Sequence, residues 1–247
     1  MLRSVKEIKG YKILAEDEKF GDAKDLLFDD HEWIVRYLVV DTGKWLPGRK
    51  VIIPPTELEK PDWVGQALPV KLTRKQIEEG PPLNEDEPVS RQYQKRLQSF
   101  FGWSPYWVAG VPESAVIAEM TQAEKEKGEK KGIEPEGDPH LRSCEEIVDY
   151  HIKAEDGEIG HVEDFILDDE LWQIRYLVVD TRNWLPGKKV LVAISWIKDI
   201  SWANNQVDVE MTREAVKESP EFDQSAPVNR EYEERLYDYY GRPKYWL

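Results

Sequence analysis

Apolar side chains fall in short runs broken by acidic residues, Gly or Pro, a pattern of strands and tight turns rather than of long helices. Tyr11 to Ala15 (YKILA) and Tyr150 to Ala154 read as strands, each followed by an acidic turn and a glycine, Gly21 or Gly160. Asp25 to Phe28, the acidic break at Asp29 and Asp30, and the β-rich run from Trp33 to Val40 predict a hairpin. Pro47 and Gly48 interrupt the next strand, which resumes at Lys50 to Ile53, and at Lys189 to Val192 in the second half. Trp196 to Ser201, then Asn204 and Asn205, then Gln206 to Met211 alternate inward apolar with outward polar residues, which predicts a further hairpin. Helical spacing appears only at Thr73 to Glu79, which stops at Gly80, and at Tyr93 to Phe101 and Tyr232 to Tyr240. Ser4 with Glu7 and Ser143 with Glu146 form capping-box patterns that open short helical turns.

The pattern occurs twice. Leu2 to Trp107 falls on Leu141 to Trp246 without a gap, most clearly where Arg36 to Thr42 (RYLVVDT) and Trp45-Leu46-Pro47-Gly48 recur as Arg175 to Thr181 and Trp184-Leu185-Pro186-Gly187. The expected organisation is one β-rich copy at 1–108, a charged linker at 109–139, helical in part over Glu113 to Glu126, and a second copy at 140–247. The fold class is mainly β with short helices, each copy a small closed barrel of about six short strands carrying two short helices. Duplication also serves as an internal control, because chemistry shared by both copies needs the same side chains in both.

Charge separates the copies. The chain carries a net −15, of which 1–108 hold −1, the linker −4 and 140–247 −10. Phosphate backbones are bound by Lys and Arg, so direct nucleic-acid binding is not expected. No apolar run reaches 18 residues, so no membrane span is expected, and MLRSVKEIKG lacks the apolar core of a secretory signal. The reading is a cytoplasmic protein. The single cysteine, Cys144, aligns with Val5 and is read as a small hydrophobe.

YLVVDTGKWLPGRKVIIP from Tyr37 to Pro54, its second version from Tyr176, and the endings SRQYQKRLQSFFGWSPYW and NREYEERLYDYYGRPKYW resemble the PRC-barrel family. That family is named for the cytoplasmic domain of the H subunit of the purple-bacterial photosynthetic reaction centre, and it includes a domain of a ribosome maturation factor. The resemblance covers 1–107 and 140–246. It implies a six-stranded β-barrel per copy, a role in protein contacts rather than catalysis, and no catalytic residue to carry over.

Candidate chemistry thins out under the duplication test. Asp29 with Asp30 and Asp168 with Asp169 occur in both copies, so they are the candidates for a cation or proton site, against an ordinary role in satisfying turn amides. Arg36 with Asp41 and Arg175 with Asp180 bracket an apolar strand and are expected to pair at its rim or to anchor the WLPG loop. His31, His140, His151 and His161 each align with a different residue type, so a shared histidine base or duplicated zinc site has no histidine to use. No P-loop, GxSxG or GxGxxG element is present, and neither an enzyme nor a cofactor is expected.

Aromatic residues are the richest repeated set. Trp33 and Trp172 open strands and are expected in the core. Trp45 and Leu46, Trp184 and Leu185, and the tail pairs Tyr106-Trp107 and Tyr245-Trp246 are the candidates for contact with a partner, the tails being expected mainly to pack back on the fold. The leading reading is a soluble, non-enzymatic interaction or assembly module with a protein partner or a second copy of itself. Two rivals are an accessory factor of photosynthetic or respiratory electron transfer, peripheral to a membrane complex, and a ribosome-associated factor.

Overall fold

A computed structural model describes residues 1–84, 88–108, 138–181 and 188–247. Trp184 and Leu185, and the helix expected over Glu113 to Glu126, fall outside the described residues. The chain divides by its contacts into two compact units. One comprises Met1–Tyr11, Ala23–Leu38 and Arg142–Leu247, the other Lys12–Asp22 and Val39–Leu141, so the division cuts across the sequence copies. No helix among the described residues is long and apolar enough to cross a membrane.

Strands dominate. In the first copy β1 (Leu2–Ser4), β2 (Lys12–Leu14), β3 (Lys19–Asp29), β4 (Val35–Asp41), β5 (Val51–Ile53) and β6 (Ala67–Pro69) are joined by α1 (Val5–Ile8), and α2 (Arg74–Glu79) and α3 (Arg91–Phe101) follow. The second copy repeats this order with β7 (Leu141–Ser143), α4 (Cys144–Ile147), β8 (His151–Ala154), β9 (Gly157–Asp168), β10 (Gln173–Asp180), β11 (Lys189–Ala193), β12 (Ile197–Ser201), β13 (Gln206–Val209), α5 (Arg213–Glu218) and α6 (Arg230–Tyr240). Among the described residues, the hairpins and helices read from the sequence form close to their expected bounds. Among the described residues the first copy has no strand equivalent to β12, and the isolated bridges Leu58 to Val70 and Asp62 to Ala67 stand in its place. Pro61 and Pro69 stand where the second copy has Ile200 and Asp208, and Pro61 removes an amide donor from the position where β12 runs.

Both sheets are mixed. The larger runs β11-β10-β9-β8-β13-β12, with β1 added on β9; the smaller runs β5-β4-β3-β2-β6, with β7 added on β3. The β2–β6 and β8–β13 pairs are parallel, the other registered pairs antiparallel. Closed barrels were expected, but among the described residues neither path closes into a ring. After β5 the chain meets Pro54 and Pro55, which have no amide to donate, and after β11 it turns through a 3-10 segment, Ile194–Trp196, where Ile197 N bonds back to Ile194 O.

The central strands β4 and β10 are buried over Tyr37 to Val40 and Tyr176 to Val179, so they read as continuous apolar runs covered on both faces. Gly21 and Gly160 sit where one strand crosses close to the end of its paired neighbour: a Cβ would lie 2.5 Å from Asp41 O and 2.0 Å from Asp180 O, respectively. At Gly160 φ is +149°, so glycine there is required by backbone conformation as well as by space. The long helices are stopped the same way in both copies, with Ser90 or Asn229 accepting the amide of Tyr93 or Tyr232 and Gly102 or Gly241 in the left-handed region.

Candidate functional site

The repeated acidic pairs are built into the fold from their own turns outward. Asp29 Oδ1 accepts the amides of His31 and Glu32 at 3.0 and 3.1 Å, and Asp168 Oδ1 those of Glu170 and Leu171 at 3.0 and 3.3 Å. Each is an Asx turn closing the hairpin. The second member of each pair faces an arginine instead: Arg3 Nε donates to Asp169 Oδ2 at 2.7 Å, and Arg142 Nε to Asp30 Oδ2 at 3.3 Å. These carboxylates are committed to amides and guanidinium groups, so their repetition has a structural cause.

The two arginines belong to segments that have changed places. The strand β1 of the first copy pairs with β9 of the second, Leu2 opposite Asp168 and Ser4 opposite Ile166, while β7 of the second copy pairs with β3 of the first. Ser4 donates its hydroxyl to Asp164, and Lys6 N reaches the other oxygen at 3.0 Å. Reciprocally, Ser143 donates to Asp25 and Glu145 N reaches its Oδ1 at 3.1 Å. Leu-Arg-Ser and its receiving aspartates are thus one contact made twice with the roles of the copies exchanged. Burial raises the carboxyl pKa of Asp25 and Asp164, opposed by the hydrogen bonds from the serines and amides. Sequence reading passed over these aspartates. Their identity in both copies, together with the identity of Leu-Arg-Ser, was the available signal.

Trp33 and Trp172 complete the exchange. Both adopt the left-handed region, φ 58° and 52°, which for a bulky side chain costs about 1–3 kcal/mol and persists only when the surroundings impose it. The Trp33 carbonyl accepts Ile174 N at 2.8 Å and the Trp172 carbonyl accepts Val35 N at 2.7 Å. Trp33 also stacks on Phe28 at 4.9 Å, which in turn lies 6.2 Å from Phe165. Both tryptophans are core residues as expected, at 8% exposure, but what their backbone does could not be read from spacing. Cys144 is buried beside this region, and burial pushes its thiol well above the usual value, so it behaves as the hydrophobe the alignment with Val5 implies.

The WLPG loop of the first copy is held on a platform. Trp45 is half-buried, edge-on to Phe20 at 6.0 Å and under the Arg74 guanidinium at 4.3 Å. Arg49 caps the C-terminal end of α2 with bonds to the carbonyls of Ile77, Glu78 and Gly80 at 3.0, 2.7 and 2.6 Å. In the second copy Lys188 takes that place, reaching Ser219 O at 2.7 Å. Leu46 is half-buried, and Pro47 and Gly48 are exposed. Asp41 accepts Gly43 N at 2.8 Å at the start of the loop, while Arg36 pairs with Glu32, and Arg175 lies 3.8 Å from Asp168.

Both aromatic tails fold back under arginines of the long helices. Arg91 lies 4.3 Å from the Trp107 ring and donates to Tyr106 Oη at 3.1 Å; Arg230 lies 4.2 Å from the Trp246 ring. Tyr245 donates to Glu233 at 2.7 Å and lies under Arg175 at 4.4 Å, and Tyr176 donates to the same Glu233 oxygen at 2.6 Å. Burial first, and then the bond to the Glu233 carboxylate, push the Tyr245 phenol up to about 12. Tyr245 keeps 38% of its surface exposed, and Tyr106, Trp107 and Trp246 are half-buried.

Comparison with known proteins agrees with the first copy. No curated protein matches the chain. Residues 2–77, which hold β1 through α2 with the WLPG loop, Asp25 and Asp30, match the PRC-barrel domain, and a PRC-barrel domain is therefore present over that stretch.

Proposed function

We propose that the chain is a non-enzymatic assembly module made of two PRC-type copies in tandem, which presents the WLPG loops to a protein partner. The observation that carries this reading is the division of labour among repeated residues. The aspartates, serines and arginines shared by both copies are taken up by turns and by the exchange, whereas Trp45 is held by Phe20 and Arg74 at the surface beside Leu46, Pro47 and Gly48. A large aromatic fixed on a rigid platform loses little conformational freedom on contact, which is what an interface anchor requires. The second copy supports the same reading by sequence, since Trp184 and Leu185 repeat the motif.

The test is affinity capture from cells with the intact chain as bait, comparing it with the double variant Trp45→Ala and Trp184→Ala. Captured proteins that disappear with the double variant, while its circular dichroism matches that of the unmodified chain, support the assignment. A folded double variant that keeps every captured protein overturns it.

A further inference from the structure

The contacts that hold the exchanged segments are blind to which copy they join. Leu-Arg-Ser is identical at 2–4 and 141–143, and the receiving aspartates 25 and 30 are matched by 164 and 169. On these contacts alone, residues 1–11 fit the aspartates of either copy, including the first copy of a second chain. The flanking charges are not blind. Lys6 Nζ lies 3.1 Å from Glu163, which also receives Lys189 at 2.6 Å, and Lys9 lies 3.6 Å from Glu145. At the equivalent positions Lys6 becomes Glu145, Glu163 becomes Lys24, and Lys189 becomes Lys50.

The swap in sign has a directional result. A segment bearing Lys6 meets Glu163 in the second copy, but in another first copy it would meet the positions of Lys24 and Lys50. A segment bearing Glu145 is matched in position by Lys24 of the first copy, whereas in another second copy it would meet Glu163. Between positions 6 and 145 on the segments and 24 and 163 on the receiving strands, each unlike pairing sets opposite charges together and each like pairing opposes equal ones. Specificity of this kind needs the repulsive arrangement as much as the attractive one.

We infer that Lys6, Lys9, Lys24, Glu145 and Glu163 form a pairing code that joins the first copy to the second and rejects the pairing of like copies, including residues 1–11 of one chain at the first-copy aspartates of another. The code is independent of the partner proposed above. Its attractive half is visible in the pKa of Glu163, where burial acts to raise the carboxyl and the bonds from Lys189 and Lys6 outweigh it, so that the net direction is down.

The test uses the full chain with a site-specific protease sequence in place of residues 121–127, cut after purification. The halves are expected to stay together as one species. Lys6→Glu and Glu163→Lys are each expected to weaken their association about tenfold at low salt, since each reverses the sign of the Lys6–Glu163 contact. The two substitutions combined are expected to return it to within about threefold of the unmodified pair, and raising salt is expected to shrink all these differences. In the uncut chain, Lys24→Glu is expected to yield a concentration-dependent dimer by accepting Lys6 of a second copy. Halves that fold but separate without any substitution overturn the inference. So does a combined variant no tighter than either single one, because a merely structural role for Lys6 and Glu163 would make the losses add.

Discussion

Positions 94 and 233 are the same turn of the same helix in the two copies, and both side chains are buried, Gln94 at 0% and Glu233 at 2% exposure. Glu233 brings a carboxyl group of its own, is paired with Arg230 at 3.0 Å, and accepts two tyrosine hydroxyls. Gln94 is neutral, and a carboxylate comes to it from elsewhere: Asp138 accepts Gln94 Nε2 at 2.9 Å and pairs with Arg91 at 2.8 Å. In both copies, then, the arginine over the aromatic tail has a buried carboxylate beside it, supplied locally in one and from the far end of the linker in the other. What the scaffold keeps is the charge balance around that arginine, since a buried ion without its partner is strongly unfavourable. Which residue supplies the balance is open to change.

The sharpest way to break the likeness of the copies is at the glycines. Gly160→Ala is expected to destabilise by about 3–5 kcal/mol, through a hard clash and a left-sided φ together, and Gly21→Ala by about 1–3 kcal/mol through the clash alone. Urea unfolding of both variants checks the order, and equal losses would show that the two crossings are strained alike.

Next in size are the receiving aspartates. Asp164→Ala and Asp25→Ala are each expected to cost about 2–4 kcal/mol, because a serine hydroxyl and a backbone amide lose their acceptor. If the exchange is reciprocal in energy as in geometry, the two losses agree within about 1 kcal/mol. The pH dependence has a definite sign. Burial raises these carboxyls above the unfolded value of 3.8, so the native state holds their protons more tightly. Their contribution is fully present below that value and is lost as pH rises through the raised native pKa. The stability gap between the unmodified chain and Asp164→Asn should therefore narrow from acid to neutral pH in thermal melts.

The smallest effects fall on the helix pair. Glu233→Gln is expected to cost about 1–2 kcal/mol and to free the tail, read as a change in Trp246 fluorescence. Gln94→Glu sets a second carboxylate against Asp138 and is expected to cost about 1–2 kcal/mol in urea unfolding. If instead Gln94→Glu stabilises the first copy, the two carboxylate sources are not alternatives, and the comparison fails.

Much of this was legible in the sequence because local rules decide local structure. Period-two runs placed the strands, Thr73 and Gly80 bounded α2, and the acidic pairs could be read as turn formers, which Asp29 and Asp168 are. Three features were not legible. Nothing in spacing distinguishes a β1 that pairs within its own copy from one that pairs with the other, since both satisfy the same backbone groups. Tryptophan at positive φ is set by tertiary packing against its own preference. The open sheet paths follow from prolines and a 3-10 turn whose effect depends on where the next strand goes. The interaction residues were half legible: the tails fold back as spacing and aromaticity led one to expect, and Arg91 and Arg230, which cover them, repeat in the sequence but were not singled out.

The exchange also sets a timetable for synthesis. Ser4 and its acceptor Asp164 are 160 residues apart, so at about 5–20 residues per second the N-terminal segment leaves the ribosome on the order of ten to thirty seconds before its docking site is made. During that interval β3 lacks its added strand β7, and Asp25 lacks Ser143. The first copy is born waiting for the second. A nascent chain of this kind presents an unpaired strand edge and an unclaimed aspartate for as long as translation takes, and any slowing of the ribosome through the middle of the message lengthens that exposure.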